Sequence, residues 1–145
     1  MLRKLTLHND VKQIELLTEF IEVLCEELGL DAMLTFNLNL VLEEAVTNVI
    51  MYAYPQDEDH TMTLKTWTEQ SDNIIVFELK DQGKPFNPIE EAPEVDTTLS
   101  ADKRQIGGLG IFLINKIMDD VTYRYEEGSN ILTMKKILKH ENNLY

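Results

Sequence analysis

The chain has few of the residues that cross-link, stiffen or positively charge a protein. Its 145 residues include one cysteine, one tryptophan and four prolines, and 13 lysines and arginines stand against 26 aspartates and glutamates. A single cysteine excludes an internal disulfide and is typical of a reducing compartment. Cys25 falls within an apolar helical pattern, which favours a packed core thiol.

Long hydrophobic runs are also missing. No apolar segment approaches the roughly 20 residues that cross a bilayer. Polar residues follow the basic start at 1–7, where a signal peptide would continue with apolar ones. The net charge of −13 disfavours direct nucleic-acid binding and fits either a basic protein partner or solubility alone. We therefore expect a cytoplasmic protein that contacts neither membrane nor nucleic acid.

What remains is an ordinary globular mixture, with 43% hydrophobic and 27% charged residues. Its periodicities predict three helices and five strands. The helices span about 10–28, 31–55 and 111–118, and the strands lie near 5–8, 62–68, 74–79, 121–125 and 131–138. We expect one α+β domain over 1–145, a two-layer α/β sandwich with a polar tail after 139.

The second predicted helix carries two polar side chains at the edge of its apolar stripe. Glu44 and Asn48 are four residues apart and therefore lie one turn apart on the same side. A carboxylate can accept a proton or orient a water, and an amide oxygen is a hard ligand suited to Mg²⁺. Taken alone, the pair also fits the margin of any amphipathic helix.

Two glycine segments flank an irregular stretch at 82–108. In the first, Asp81 ends a strand and can accept from an exocyclic amine such as that of adenine, while Gly83 lets the backbone approach a flat ring. In the second, Gly107-Gly108-Leu109-Gly110 leads into a helix whose N-terminus can bind phosphate. The alternatives are an ordinary Asp/Gly turn and a flexible hinge, and the ending of a Walker loop is absent.

The order of these motifs is more specific than any one of them. It resembles the ATP-binding domain of DNA gyrase, MutL mismatch-repair proteins and sensor histidine kinases, the GHKL or Bergerat-fold ATPases. More closely, the chain resembles bacterial anti-sigma factor serine/threonine kinases, since residues 43–48 read EEAVTN and 118–121 read MDDV. The resemblance covers about 5–138 and implies a mixed, mostly antiparallel sheet covered by helices on one face.

The resemblance also implies roles for the residues that would bind Mg²⁺, act as the general base and bind adenine. Asn48 would ligate Mg²⁺, and Glu44 would be the general base that deprotonates the acceptor serine or threonine. Asp81 would bind adenine, with Gly83 allowing close contact.

At the phosphate end, the resemblance implies contacts from the second glycine segment. Gly108, Leu109 and Gly110 would bind phosphate, and Arg104 is a nearby cation that can reach the nucleotide. The loop of about 87–106 would be the ATP lid, ordered by the bound nucleotide.

Two positions depart from the pattern of these kinases. Ile106 stands where several relatives carry a basic residue that touches the γ-phosphate. On the last strand, Ser129-Asn130-Ile131 replaces a Gly-Thr-Thr motif, so the threonine that supports the adenine-binding aspartate is missing.

The leading hypothesis is an ATP-dependent protein serine/threonine kinase acting as an anti-sigma factor. It would bind a sigma factor and phosphorylate a small anti-anti-sigma protein, with ATP and Mg²⁺ as cofactors and a homodimer as a possible assembly. The alternatives are a nucleotide-gated protein-binding module with little or no kinase activity, and a scaffold that binds no nucleotide. A phosphohistidine mechanism is disfavoured because His8, His60 and His140 belong to no matching motif.

Overall fold

The computed structural model describes residues 2–55, 57–91 and 106–138. Five strands form one sheet: β1 (Leu2–His8), β2 (Thr61–Glu69), β3 (Ile74–Asp81), β4 (Asp120–Glu126) and β5 (Ser129–Ile137). Their order in space is β1-β2-β3-β5-β4, and every neighbouring pair is antiparallel. The expected two-layer fold is confirmed, and across the described residues the sheet is antiparallel throughout rather than mixed.

Within the described ranges, four α-helices accompany the sheet: α1 (Ile14–Glu27), α2 (Ala32–Asn48), α3 (Pro88–Glu91) and α4 (Ile106–Ile117). The expected start and stop signals between α1 and α2 are confirmed. Gly29 has a φ of +69°, which ends α1 in the conformation that glycine adopts most easily. Asp31 then caps α2 by accepting a hydrogen bond from the Leu34 N–H.

The hydrophobic core lies between the sheet and the helices. One row of side chains crosses all five strands in register: Leu5, Leu64, Leu79, Leu132 and Tyr123. The helices cover these strands with buried residues, among them Leu17, Ile21, Leu24, Leu38, Val41, Leu42 and Ile114. Cys25 is 1% exposed within this core, so its predicted role as a packed thiol is confirmed.

The winding of the second helix changes at Asn48, the predicted Mg²⁺ ligand. The regular α-helix ends at Asn48 and continues as a π-helical turn, Val49–Ala53. Such turns are rare and occur frequently at functional sites. No helix among the described residues is long and apolar enough to cross a membrane.

Candidate functional site

The register of the sheet places two polar side chains opposite each other at the edge of the core. Asp81 is the last residue of β3 and pairs with Asn130 near the start of β5. Both are buried, and Asn130 Nδ2 donates to Asp81 Oδ1 at 2.9 Å. Asn130 therefore supports the aspartate at the place where the resemblance implies a threonine.

The Asn130 amide also binds the loop that follows β3 and the neighbouring strand β4. Its Nδ2 donates to the Lys84 carbonyl at 2.9 Å, and its Oδ1 accepts from the Phe86 N–H at 3.0 Å. The Tyr123 hydroxyl donates to the same Oδ1. Because both ends of the amide are engaged, its orientation is determined by the surrounding backbone and side chains.

The Asp81 carboxyl is held by hydrogen bonds in a nearly dry environment. Burial raises its pKa, whereas hydrogen bonds from Asn130 and from the Gly83 N–H, the latter at 2.9 Å, lower the pKa and oppose that effect. Both of these hydrogen bonds go to Oδ1. The arrangement suits a carboxylate that accepts a further hydrogen bond from a ligand amine.

Asn48 is buried, and its amide nitrogen has no partner within the part of the chain that the structure describes. It is 5% exposed, and among the described residues no group pairs with its Nδ2. An unpaired buried polar group costs about 1–3 kcal/mol. In native structures such a group usually serves a ligand, an ion or an ordered water.

Asp81 and Asn48 line the same cavity, between α2, the sheet and the start of α3. The cavity has about 20 Å³ of space, enough for one water molecule. Phe86 and Pro88 contribute to its lining, and the Phe86 ring stacks on Tyr52 with centroids 5.2 Å apart. A purine base is much larger than a water, so the cavity must widen before a base can enter.

Glu44 lies one helical turn before Asn48 and is partly buried against α4. A Cβ atom built on Gly110 would lie 2.2 Å from Glu44 Oε2, so glycine leaves the room that this carboxyl group occupies. Burial raises the pKa of Glu44, and the negative charge of Glu43 raises it further. The shift brings the carboxyl group closer to the neutral range in which a general base works best.

Gly83 has a structural reason to be glycine. A Cβ at this position would lie 2.3 Å from the Ala53 carbonyl oxygen. The Lys84 N–H donates to the same oxygen at 2.9 Å. Close packing of the loop on the π-helical turn therefore explains the residue, and contact with a flat ring remains a prediction.

The second glycine segment lies within α4 rather than before it. The prediction that this helix starts near Ile111 is wrong, because α4 begins at Ile106 and includes Gly108, Leu109 and Gly110. Glycine's low helix propensity placed the boundary too late, whereas tight packing against α2 favours a small residue at 110. The phosphate contacts remain a prediction, and Arg104 lies outside the described residues, as does most of the expected lid.

The sequence pattern does not mark three side chains near Asp81 as parts of the site. Asn130 stands out only as the replacement of a threonine, and no motif includes Tyr123 or Tyr54. The Tyr54 hydroxyl accepts from the Gln82 N–H at 2.6 Å and holds the start of the loop. An antiparallel pairing of the third and fifth predicted strands, with the end of one beside the start of the other, is the signal that places Asn130 near Asp81.

The family model of the histidine kinase-like ATPase domain matches residues 7–136, from the end of β1 to the end of β5. The chain belongs to this family. This family membership agrees with the resemblance that the order of the motifs indicates.

Curated relatives of this ATPase domain include two proteins named serine-protein kinase RsbW. The one from Listeria innocua is 32% identical over 108 residues, which are 70% of this chain and 65% of the relative. The one from Bacillus cereus is 27% identical over 117 residues, 72% of this chain and 66% of the relative. The chain thus spans about two thirds of the length of the relatives it matches.

A solved structure supports the same fold for this ATPase domain. The RsbU and RsbW domains of Rv1364c from Mycobacterium tuberculosis align with a TM-score of 0.68 and 12% identity. The alignment covers 97% of this chain and 33% of that one. The expected Bergerat fold is confirmed, and at this identity the likeness concerns the fold alone.

Proposed function

We propose that this domain is an ATP-dependent protein serine kinase that acts as an anti-sigma factor. It binds a sigma factor and phosphorylates a small anti-anti-sigma protein. The observation that carries the proposal is a cavity lined by both Asp81 and Asn48, with Glu44 one turn before Asn48 on α2. The names of the RsbW relatives support the serine kinase class.

The residues at the buried end of the cavity have the chemistry that an adenine base requires. Asp81 presents a carboxylate to the 6-amino group, and apolar side chains line the walls, among them Ala45, Val49, Leu79 and Leu132. A flat apolar ring system with one amine matches a slot with one carboxylate at its end. Rotation of the Phe86 side chain, which leaves the backbone N–H on Asn130 Oδ1, widens the space that the base needs.

The middle of the site fits a magnesium ion that is held mainly by the nucleotide. Mg²⁺ often takes one or two protein ligands and completes its shell with phosphate oxygens and waters. The Asn48 amide oxygen is such a ligand, and the lack of a partner for Nδ2 is consistent with a side chain kept for a bound group. When bound, the ion would offset charge on the phosphates during transfer.

The base of the reaction is the Glu44 carboxylate. It takes the proton from the acceptor serine hydroxyl as that oxygen attacks the γ-phosphorus, and the bond to ADP breaks. Its raised pKa makes it a better proton acceptor at neutral pH than an exposed glutamate. Gly110 keeps room for the carboxyl group beside α4.

The direct test is a phosphorylation assay with Mg-ATP and a candidate anti-anti-sigma protein. We expect Glu44→Gln to lower the transfer rate by about 10²–10⁴-fold while ADP still binds. Asn48→Ala should lose the magnesium-dependent part of nucleotide affinity. Glu43→Gln, at an exposed neighbouring position on the same helix, is the matched control and should remain within a few-fold of the parent.

The pH dependence of the same assay tests whether Glu44 is the general base. The base works only when ionised, so transfer by the parent should fall on the acid side of a pKa that lies above the ordinary 4.5 of a glutamate. The residual transfer rate of Glu44→Gln should not show this fall at low pH. Equal rates for parent and Glu44→Gln would refute the assignment.

Ile106 favours a second candidate function, a nucleotide-gated binding module without kinase activity. An apolar residue stands here where several of the resembling kinases place a cation. Tight ADP binding together with no transfer to any anti-anti-sigma protein would decide for the module. The net charge of −13 suits a basic sigma factor in either case, and we place both activities in the cytoplasm.

A further inference from the structure

We propose that Asn130 sets the preference of this site for 6-aminopurine nucleotides by holding Asp81 as a hydrogen-bond acceptor. Asn130 is a positioning residue in this scheme, because it acts on the ligand through Asp81. The inference rests on the proposed nucleotide site and adds the residue that determines which base the site accepts.

The orientation of the Asn130 amide follows from its neighbours. The Phe86 backbone N–H points at Oδ1 from 3.0 Å, and a backbone N–H can only donate. Rotating the amide by 180° would place its NH₂ group against that donor and its oxygen against the Asp81 carboxylate. The observed orientation, with Nδ2 2.9 Å from Asp81 Oδ1, is therefore strongly favoured.

The charge distribution of the cavity makes this donor important. No lysine or arginine is among the described residues that line it. Among the described residues, the titratable groups that face Asp81 are Tyr123, on β4, and Tyr54, at the end of the π-helical turn, and burial raises the pKa of Tyr54. With no cation among the described lining residues, the hydrogen bonds from Asn130 and Gly83 are what favour the carboxylate over the carboxylic acid.

The two forms of Asp81 recognise different bases. A carboxylate accepts a hydrogen bond from the 6-amino group of adenine, whereas a carboxylic acid can donate to the 6-oxo group of hypoxanthine. A residue that keeps Asp81 ionised therefore selects the amino compound. Burial pushes the pKa of Asp81 in the opposite direction, so loss of the Asn130 donor should weaken the selection.

An asparagine can do more here than a threonine. Its NH₂ group carries two hydrogens, and these serve Asp81 Oδ1 and the Lys84 carbonyl, both at 2.9 Å. A threonine hydroxyl has one hydrogen and can satisfy one of them. Asn130 thus orients the carboxylate and anchors the loop that leads to Phe86 with the same group.

The test is the ratio of the affinities for ADP and inosine diphosphate, measured by titration calorimetry at neutral pH on the full chain. We expect the parent to prefer ADP by at least about tenfold. Asn130→Leu should lose most of this ratio through weaker ADP binding, with inosine diphosphate affinity changed by much less. Asn130→Thr, which keeps one donor, should restore part of the ratio. Asn115→Leu, at an exposed position of α4, is the matched control.

Several results would overturn the inference. An unchanged ratio in Asn130→Leu, or an equal loss of both affinities, would reduce Asn130 to a structural role. If Asn130→Leu does not fold, Asn130→Asp decides, because it has nearly the same shape and lacks the NH₂ donor to Asp81. A ratio equal to the parent's in Asn130→Asp would then refute the inference. A parent that binds neither nucleotide would refute the proposed function itself, which is a separate outcome.

Discussion

The Asp81 carboxyl group illustrates how one side chain can serve a site at the expense of stability. It is 4% exposed, and burial raises its pKa above the ordinary value of 3.8. A raised pKa means that the folded protein holds this proton more tightly than the unfolded chain does. The stability contribution of the protonated group is therefore lost as the pH rises through the raised pKa.

Asp81→Asn should stabilise the unliganded protein and abolish selective ADP binding. An asparagine oxygen can still accept from Asn130 and Gly83, while the buried charge is gone. We expect a gain in the free energy of unfolding of roughly 0.5–2 kcal/mol at neutral pH, shrinking as the pH falls toward 3.8. Urea unfolding at several pH values measures this. A variant less stable than the parent at neutral pH would contradict the prediction.

The contact between the loop after β3 and the π-helical turn connects the two elements that carry Asp81 and Asn48. Gly83 and Lys84 pack on the Ala53 carbonyl, and the Gln82 N–H donates to the Tyr54 hydroxyl. These contacts set the distance between the end of the sheet and the end of α2. Changes at this junction should therefore alter nucleotide affinity as well as stability.

Gly83→Ala tests this coupling against Gly29→Ala. The added Cβ at 83 meets backbone 2.3 Å away, so we expect a loss of about 1–3 kcal/mol of stability and at least tenfold weaker ADP binding. At 29 no atom lies within 4 Å, but the φ of +69° costs an alanine about 1–2 kcal/mol. Calorimetric titration and thermal unfolding separate the two. Equal ADP affinity in both variants would exclude the coupling.

The charge of the entire chain, −13, opposes its own compaction. Surface ion pairs such as Lys135–Glu69 contribute little to stability and are themselves screened by salt. Added salt weakens both the net repulsion and the ion pairs. Because the repulsion is the larger effect, we expect added salt to increase the stability of the folded protein.

We expect the Tm of the unliganded protein to increase by about 2–4 °C between about 20 and 200 mM NaCl, a shift that corresponds to roughly 1 kcal/mol. Thermal unfolding followed by circular dichroism measures it. A sucrose series at matched osmolality is the control for effects that do not depend on charge. A Tm that falls with added salt would show that local ion pairs dominate over net repulsion.

Much of the fold could be predicted because its signals are local. Asp31 and Gly29 mark helix ends through their own backbone preferences, and alternating apolar residues mark the strands. The site was predictable to the extent that its residues lie on one element. Glu44 and Asn48 share α2, so their spacing alone places them one turn apart.

Features that depend on distant parts of the chain could not be predicted in this way. Helix propensity misplaced the start of α4 because the benefit of a glycine at 110 comes from Glu44, on another helix. The local pattern around Gly83 suggests contact with a ligand, because it contains no sign of the Ala53 carbonyl, 30 residues earlier in the chain.

Periodicity, caps and motif order thus settle which elements form and which family of site they build, since these depend on neighbours within a few residues. The partner of Asp81 depends instead on the register between β3 and β5, which brings together two residues 49 apart. Register and helix packing are decided by how the complete core fits together. For that reason the sequence shows only that Asn130 replaces an expected threonine, whereas the folded protein shows that Asn130 supports Asp81.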